Sequence, residues 1–320
     1  MTQVRGNFAQ LMVPGLKKVY LDADEYEQRE KQYPMLFNVK TSDSEFEQEL
    51  EMAGVGPLQE KPENSSTVYN DMIQGGSRRA THLTYSLGIR TSKELWDDDK
   101  YGLIKTGPKA LVRSTRFTEE VVAWNIINNG FSSTTGVVTF DGQSIFNNQH
   151  YLLGGSQATN IAPGITNIIS AAGTYPNRPP TDIDLSVAGL QLMTNYANRM
   201  VDNQGMPINV KFRHILIPPE LIFIAREILG SSGQPYTADN TVNSLIPEDF
   251  KFLVGNYLTS GSAWYAFADK QYTALTVWMR EKPNTDFDDD FDTDAVKQKT
   301  RMRMSASCFR WQGTFGSNGP

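Results

Sequence analysis

Polar and apolar positions follow different periods in successive blocks of the chain, and the sharpest block begins at Ser44. From there Glu45, Glu47, Glu49 and Glu51 alternate strictly with Phe46, Gln48, Leu50 and Met52. A period of two puts the four carboxylates on one face of a β-strand, whereas a helix would scatter them. The strand ends at Gly54-Val-Gly-Pro57, a polar tip follows from Glu60 to Gly76, and a β-rich run returns at Thr81-His-Leu-Thr-Tyr-Ser-Leu-Gly-Ile-Arg90. Residues 43–91 therefore read as one long antiparallel hairpin. A two-stranded ribbon alone is marginal in water. With few apolar residues at its tip, this one needs a further surface, from its own chain or a neighbour.

A helical period takes over next. Leu103, Gly107, Ala110, Ser114, Phe117, Val121, Trp124 and Asn128 recur at steps of four and three, the stripe of a long helix packed on one side. Asp97-Asp-Asp99 suits its first turns, Pro108 is expected to kink or divide it, and Gly130 suits its stop. Upstream, residues 1–40 are mixed and polar, with a short helix over Asp24-Glu-Tyr-Glu-Gln-Arg-Glu-Lys, and read as an arm. Downstream, residues 131–180 are rich in Gly, Asn, Ser and Thr, with a strand at Gly136–Phe140 and a turn at Asp141-Gly142. A helix over 184–202 turns Leu185, Ala188, Leu192 and Tyr196 inward. His214-Ile-Leu-Ile reads as a buried strand, followed by a Pro-Pro corner, a short helix and a polar loop over 230–245.

The C-terminal block is β again. Tyr272–Arg280 leads into Asp286-Phe-Asp-Asp-Asp-Phe-Asp-Thr-Asp294, read as a solvated acidic turn. Lys297, Lys299, Arg301 and Arg303 then alternate with Gln298, Thr300, Met302 and Met304, repeating the acidic strand's pattern with the sign reversed. Each stripe suits the wet face of a sheet, where charge also discourages unwanted edge pairing. Alternatively the acidic stripe of one subunit lies across the basic stripe of another. Each exposed pair would then contribute only about 0–1 kcal/mol, but repetition would fix register. A third reading sets the basic stripe against nucleic-acid phosphates, without sequence preference.

Composition narrows the classes. The 320 residues suffice for one large domain or two modest ones. The net charge of −6 gives no electrostatic reason to expect a nucleic-acid reader. The single cysteine, Cys308, excludes an internal disulfide. Neither a signal peptide nor an apolar run of membrane-spanning length is present.

Candidate chemistry is sparse. No nucleophile elbow, phosphate loop or dinucleotide fingerprint occurs, and His82, His150 and His214 stand apart in sequence. A calcium loop counted from Asp286 fails at its sixth position, Phe291, and its twelfth, Lys297. No catalytic residue, cofactor or metal ligand is assigned.

Several segments resemble the major head subunits of Mu-type tailed phages, which have the HK97 fold. They are Val13-Pro-Gly-Leu-Lys-Lys-Val-Tyr, Gly54-Val-Gly-Pro with Glu60-Lys-Pro-Glu, and Thr81-His-Leu-Thr-Tyr-Ser-Leu-Gly-Ile-Arg-Thr-Ser-Lys-Glu-Leu. Phe140-Asp-Gly-Gln-Ser-Ile-Phe, Leu152-Leu-Gly-Gly and Trp311-Gln-Gly-Thr-Phe-Gly-Ser-Asn-Gly complete the series, so the resemblance runs nearly end to end. It implies an α+β, HK97-like capsid fold with an N-terminal arm (1–42), an extended β-hairpin loop (43–92), a peripheral-domain spine helix (93–134), an axial domain (135–262) and a peripheral C-terminal β-hairpin (263–320).

The implied function is that of a major capsid protein. Its copies would form hexamers and pentamers, closing into the icosahedral head of the virion capsid around double-stranded DNA, with assembly in the bacterial host cytoplasm. The implied partners are a separate scaffolding protein, a portal protein at one vertex, a decoration protein in some capsids, and packaged DNA through non-specific contact, with no membrane. The expected inter-subunit residues are Glu45, Glu47, Glu49, Glu51, Lys61, Lys297, Lys299, Arg301 and Arg303. Two rivals stand beside this reading: an encapsulin-like cellular compartment shell, and a hydrolase whose site assembles only in the fold.

Overall fold

A computed structural model describes residues 8–28, 30–56, 58, 60–92, 94–95, 98–100, 102–134, 136–153, 174–230, 249–290 and 295–319. The chain opens with helix α1 (Phe8–Gln28), then strands β1 (Asn38–Thr41), β2 (Phe46–Ala53), β3 (Ile73–Thr81) and β4 (Leu83–Thr91). Helix α2 (Thr106–Asn128) follows, then β5 (His150–Tyr151), β6 (Thr174–Tyr175), α3 (Val187–Asn198), β7 (Phe212–Ile217) and α4 (Ile222–Gly230). The remaining strands are β8 (Lys251–Val254), β9 (Trp264–Ala268), β10 (Leu275–Asp290), β11 (Ala295–Cys308) and β12 (Thr314–Ser317).

Two four-stranded sheets organise the molecule, ordered β1-β10-β11-β4 and β12-β9-β7-β8. The second is buried on both faces. Ile215, Ile217, Trp264 and Ala266 point into a core with Leu190 and Met193 of α3 and Ala225 and Ile228 of α4. Leu216, Tyr265 and Phe267 point the other way, into a core with Trp124 and Ile127 of α2 and Val277, Met302 and Met304 of the first sheet. Strand side chains alternate between faces, so β7 and β9 read as continuous apolar runs because both faces are covered. Since β9 and β12 hydrogen-bond into the sheet of β7 and β8, that sheet spans the expected boundary at 262/263.

The expected hairpin divides into two units. β2 pairs with β3, from Phe46↔Thr81 to Ala53↔Ile73. The Thr81–Arg90 run mostly belongs instead to β4, which pairs along β11 from Met304↔Leu83 to Val296↔Thr91. The ribbon is thus 46–53 with 73–81, and the residues expected to return along it form an edge strand of the main sheet. Asp286 and Asp288 lie on β10 rather than in a turn, opposite Lys299 and Lys297, while residues 291–294 lie outside the described residues.

Helix α2 begins at Thr106 rather than near residue 93, so Pro108 sits in its first turn, where a missing N–H is tolerated and no kink arises. Asp99 precedes the helix and accepts a hydrogen bond from Ile104 N at 2.9 Å. Of the predicted stripe Trp124 is buried, but the stripe as a whole is not the buried face. Phe117 is 57% exposed, and burial falls on Leu111, Val112, Thr115, Arg116, Glu119, Glu120, Ala123, Trp124, Ile126 and Ile127. The physical reason is α1, a helix of 21 residues where a short one over Asp24–Lys31 was expected, whose Tyr20 and Ala23 pack on Leu111 and Val112. Leu185 and Tyr196 face the core as expected, but in α3 the buried residues are Leu190, Met193 and Ala197, while Ala188 is exposed; Ser186 caps the helix through Gly189 N at 3.1 Å. The polar loop expected over 230–245 lies almost wholly outside the described residues.

Candidate inter-subunit surfaces

The alternation of the ribbon turns Glu47, Glu49 and Glu51 toward the chain's own body, while Glu45, just before β2, is exposed. Glu47, Glu49 and Glu51 are half-buried and Ala53 is fully buried, while Gln48, Leu50 and Met52 on the opposite face are exposed. Glu51 Oε1 accepts a hydrogen bond from Asn203 Nδ2 at 3.0 Å, and Gln204 Nε2 donates to Gly54 O at 2.8 Å. Burial pushes the Glu51 carboxyl above its ordinary range, partly opposed by Asn203 and by the charges of Arg310 and Arg78. Arg78, opposite Glu49 in the ladder, donates from Nε to Thr139 O at 3.0 Å. At the root, Ala80 packs with Phe140, Trp278 and Phe309. The ribbon is inside out: Glu47 and Glu51 are hydrogen-bonded on its inner face, and Leu50 and Met52 meet solvent on the outer one.

The exposed apolar surface continues past the ribbon's end. Leu50 and Met52 are joined by Val55, Leu58, Val68, Tyr69 and Met72, with Leu58 fully exposed. These are the residues that reading the tip as merely polar overlooked. The available signal was five apolar side chains in a stretch too short to form a core. Exposed patches of this kind mark interaction surfaces. Lys61 is exposed within the same segment.

On β11 the alternation has the expected sense. Lys297, Lys299 and Arg301 are exposed and Arg303 half-buried, with Gln298, Thr300, Met302 and Met304 beneath. Acids of β10 face them within the same chain: Lys299 Nζ lies 3.7 Å from Asp286 Oδ2 and Arg301 Nε 3.5 Å from Glu281 Oε2. In one subunit the acidic stripe of β2 and the basic stripe of β11 belong to different sheets and do not pair with each other. The opposite-charge neighbours of the basic stripe are these carboxylates.

A buried polar network fastens α1 to α2. Arg116 contacts Asp24 and donates to Glu119 Oε2 at 2.7 Å, and Lys31 reaches the same oxygen at 3.1 Å. Glu120 accepts from Gln32 N at 2.7 Å, Tyr33 N at 3.1 Å and Trp124 Nε1 at 2.7 Å. Burial pushes the Glu120 carboxyl upward against those three donors.

The histidines do not build a catalytic site. His82 contacts Ser42, but the carboxylate of Glu47 bonds the serine rather than the imidazole, and both His82 and Ser42 are buried. A hydrolytic triad needs its acid on the far ring nitrogen. His150 is fully buried between Asp141 and Asn177, stacked on Trp311 at 4.6 Å. Burial pushes the Cys308 thiol up to about 12, an inert state. Among the described residues no cluster of His, Cys, Asp and Glu could hold a metal ion, and no helix is long and apolar enough to cross a membrane.

Comparison with known proteins gives a consistent picture. The sequence model of a family described as "Phage capsid protein" matches residues 77–315. No curated protein matches the chain. Among solved structures, one from Microbacterium phage Oxtober96 is similar with a TM-score of 0.52 at 11% identity, covering 90% of each chain. The capsid of bacteriophage JBD30 decorated with minor capsid protein trimers is similar with a TM-score of 0.53 at 13% identity, covering 71% of this chain and 90% of that one. The capsid of an empty GTA particle is similar at a TM-score of 0.50 and 12% identity, covering 91% and 90%.

Proposed function

The chain belongs to the phage capsid protein family and is a major capsid protein of HK97-like α+β fold, a structural subunit of a head shell and not an enzyme; from that premise we propose that its copies interlock through the outward face of the ribbon. The observation that carries this reading is the exposure of Leu50 and Met52, at 42% and 55%, opposite a face of half-buried carboxylates. Continued by Val55, Leu58, Val68, Tyr69 and Met72, that face lies over a neighbouring subunit, with Lys61 among the contact residues. The ribbon of 46–53 with 73–81, together with the segment joining its strands, then acts as the extended loop, α2 as the spine, and the sheet of β7 and β9 as the heart of the axial part.

In this proposal hexamers and pentamers of the chain close into an icosahedral head around double-stranded DNA, in the host cytoplasm. A separate scaffold and a portal at one vertex are its partners. The face carrying Lys297, Lys299, Arg301 and Arg303 meets a neighbouring protein rather than DNA, because carboxylates already oppose its cations and weaken any phosphate attraction. The encapsulin-like compartment is the weaker reading, since the matching family is one of capsids.

The test replaces Leu50 and Met52 together by glutamate. Wild-type chain co-expressed with its scaffold yields closed shells of uniform diameter by electron microscopy. Each apolar side chain withheld from an interface removes about 1.5–3 kcal/mol per contact, so the variant's shell yield falls at least tenfold. Its unassembled subunit keeps the wild-type unfolding midpoint, because neither side chain is in the core. Undiminished assembly of the variant, or a wild-type chain that stays monomeric at high concentration, overturns the proposal.

A further inference from the structure

The ribbon leaves the main sheet through one buried point. His82 is the single residue between β3 and β4, and Ser42 is the first residue after β1, so both arms of the ribbon pass this junction. Ser42 and His82 are 5% and 4% exposed. His82 Nε2 lies 3.0 Å from Ser42 Oγ, and its Nδ1 lies 2.9 Å from Ser305 Oγ on β11. Ser42 Oγ in turn lies 2.5 Å from Glu47 Oε1 on β2. His82 N donates to Glu45 O at 3.2 Å, and Arg280 Nη1 on β10 donates to Ser42 O at 3.3 Å.

The chain of side-chain bonds has a direction. A carboxylate only accepts, so the Ser42 hydroxyl proton points to Glu47. Ser42 Oγ then accepts from His82 Nε2–H, which leaves the Nδ1 lone pair to receive the Ser305 hydroxyl. That sequence requires a neutral ring. The charged groups around it are Arg303 from β11 and Arg280 from β10, which oppose a further positive charge, and Glu47 from β2, which favours one. Asp43 pairs with Arg280 at 3.3 Å.

We propose that His82 is a proton-operated clasp: neutral, it ties β1, β2 and β11 together at the ribbon's root, and protonated, it releases the ribbon from the main sheet. Burial, first, and the two guanidiniums outweigh Glu47 and hold the ring below its ordinary 6.5. A group whose folded value is depressed must lose a proton-free state to accept charge, so the clasp is fully formed above that ordinary value and weakens as pH falls below it. This inference rests on the reading of the ribbon as the docking element. The clasp itself is a property of one subunit and can be measured without any shell.

The experiment is amide hydrogen exchange on the full-length unassembled chain, corrected for intrinsic rates, following amides of 46–53 and 73–81 with those of α2 as reference. From about pH 7.5 to about pH 5.5, one unit below the ordinary histidine value, ribbon protection falls by up to about tenfold relative to α2. In His82→Gln the ratio is the same at both pH values. Wild-type protection that does not change, or an unaltered pH dependence in His82→Gln, overturns the clasp. So does a response abolished by Glu51→Gln, which would make Glu51 the sensor. Should His82→Gln fail to fold, wild-type protein alone decides: the His82 imidazole resonance of the native chain titrates below the ordinary histidine value, at lower pH than the onset of the fall in ribbon protection, and a ring that titrates at or above that value sinks the idea. A working clasp in a chain that forms no shells would refute the shell reading and leave the clasp intact.

Discussion

Truncating Phe146 to alanine lowers the unfolding free energy of the unassembled subunit by about 3–5 kcal/mol, the upper range for a buried aromatic. The ring is 1% exposed and sits among Phe131 at 5.1 Å, Tyr265 at 5.2 Å and Phe267 at 6.4 Å between centroids. Two glycine backbones press on it. A Cβ on Gly130, just past the end of α2, would meet Phe146 Cε2 at 2.6 Å, and one on Gly316 of β12 would meet Cγ at 2.7 Å. A helix terminus and a strand cannot both close on an emptied site, so the cavity persists and the loss stays near the top of the range. Gly316→Ala tests the same wedge from the other side, at about 1–3 kcal/mol for overpacking. Denaturant unfolding measures both, and a Phe146→Ala loss below about 1 kcal/mol would mean that the surroundings collapse readily.

Arg116→Met gives the second large effect, about 3–5 kcal/mol, because it strands the carboxylate of Glu119 in the interface of α1 and α2. Glu119 is fully buried, and its Oε1 already has no hydrogen-bond partner. Without Arg116, only Lys31 at 3.1 Å opposes its charge. The double variant Arg116→Met with Glu119→Leu recovers most of the loss, since an apolar pair of similar volume avoids desolvating both charges. A double-mutant cycle measured by the same unfolding separates the two contributions. Additive losses would show that the pair does not act as a unit.

Both predictions concern places where the hydrophobic pattern points elsewhere. The apolar stripe through Phe117 suggested which side of α2 is buried, yet the buried side carries Arg116, Glu119 and Glu120. Those charges are tolerated there because α1 and residues 31–33 bring Asp24, Lys31 and the Gln32 and Tyr33 amides to meet them. No local window contains that information, since the partners lie some 87–92 positions away. The same holds for the strand at 83–91. Its β character is local, written in Leu83, Tyr85, Leu87 and Ile89, but its pairing with β11 rather than β2 joins segments about two hundred residues apart.

What the sequence determined by itself was the kind of each main element and the class of protein. The period of two over 45–52 and over 297–304 made two strands certain, and the sparse chemistry with the end-to-end resemblance pointed to a shell subunit. Tertiary structure alone decided which face of the acidic strand turns inward. The rule that apolar residues go inside holds for a chain that keeps its whole surface in water. Here Arg78, Arg310 and Asn203 make the inner side hospitable to carboxylates, leaving Leu50 and Met52 outside. Alternation fixes that two faces differ. Which one a strand buries depends on what the distant chain sets against each.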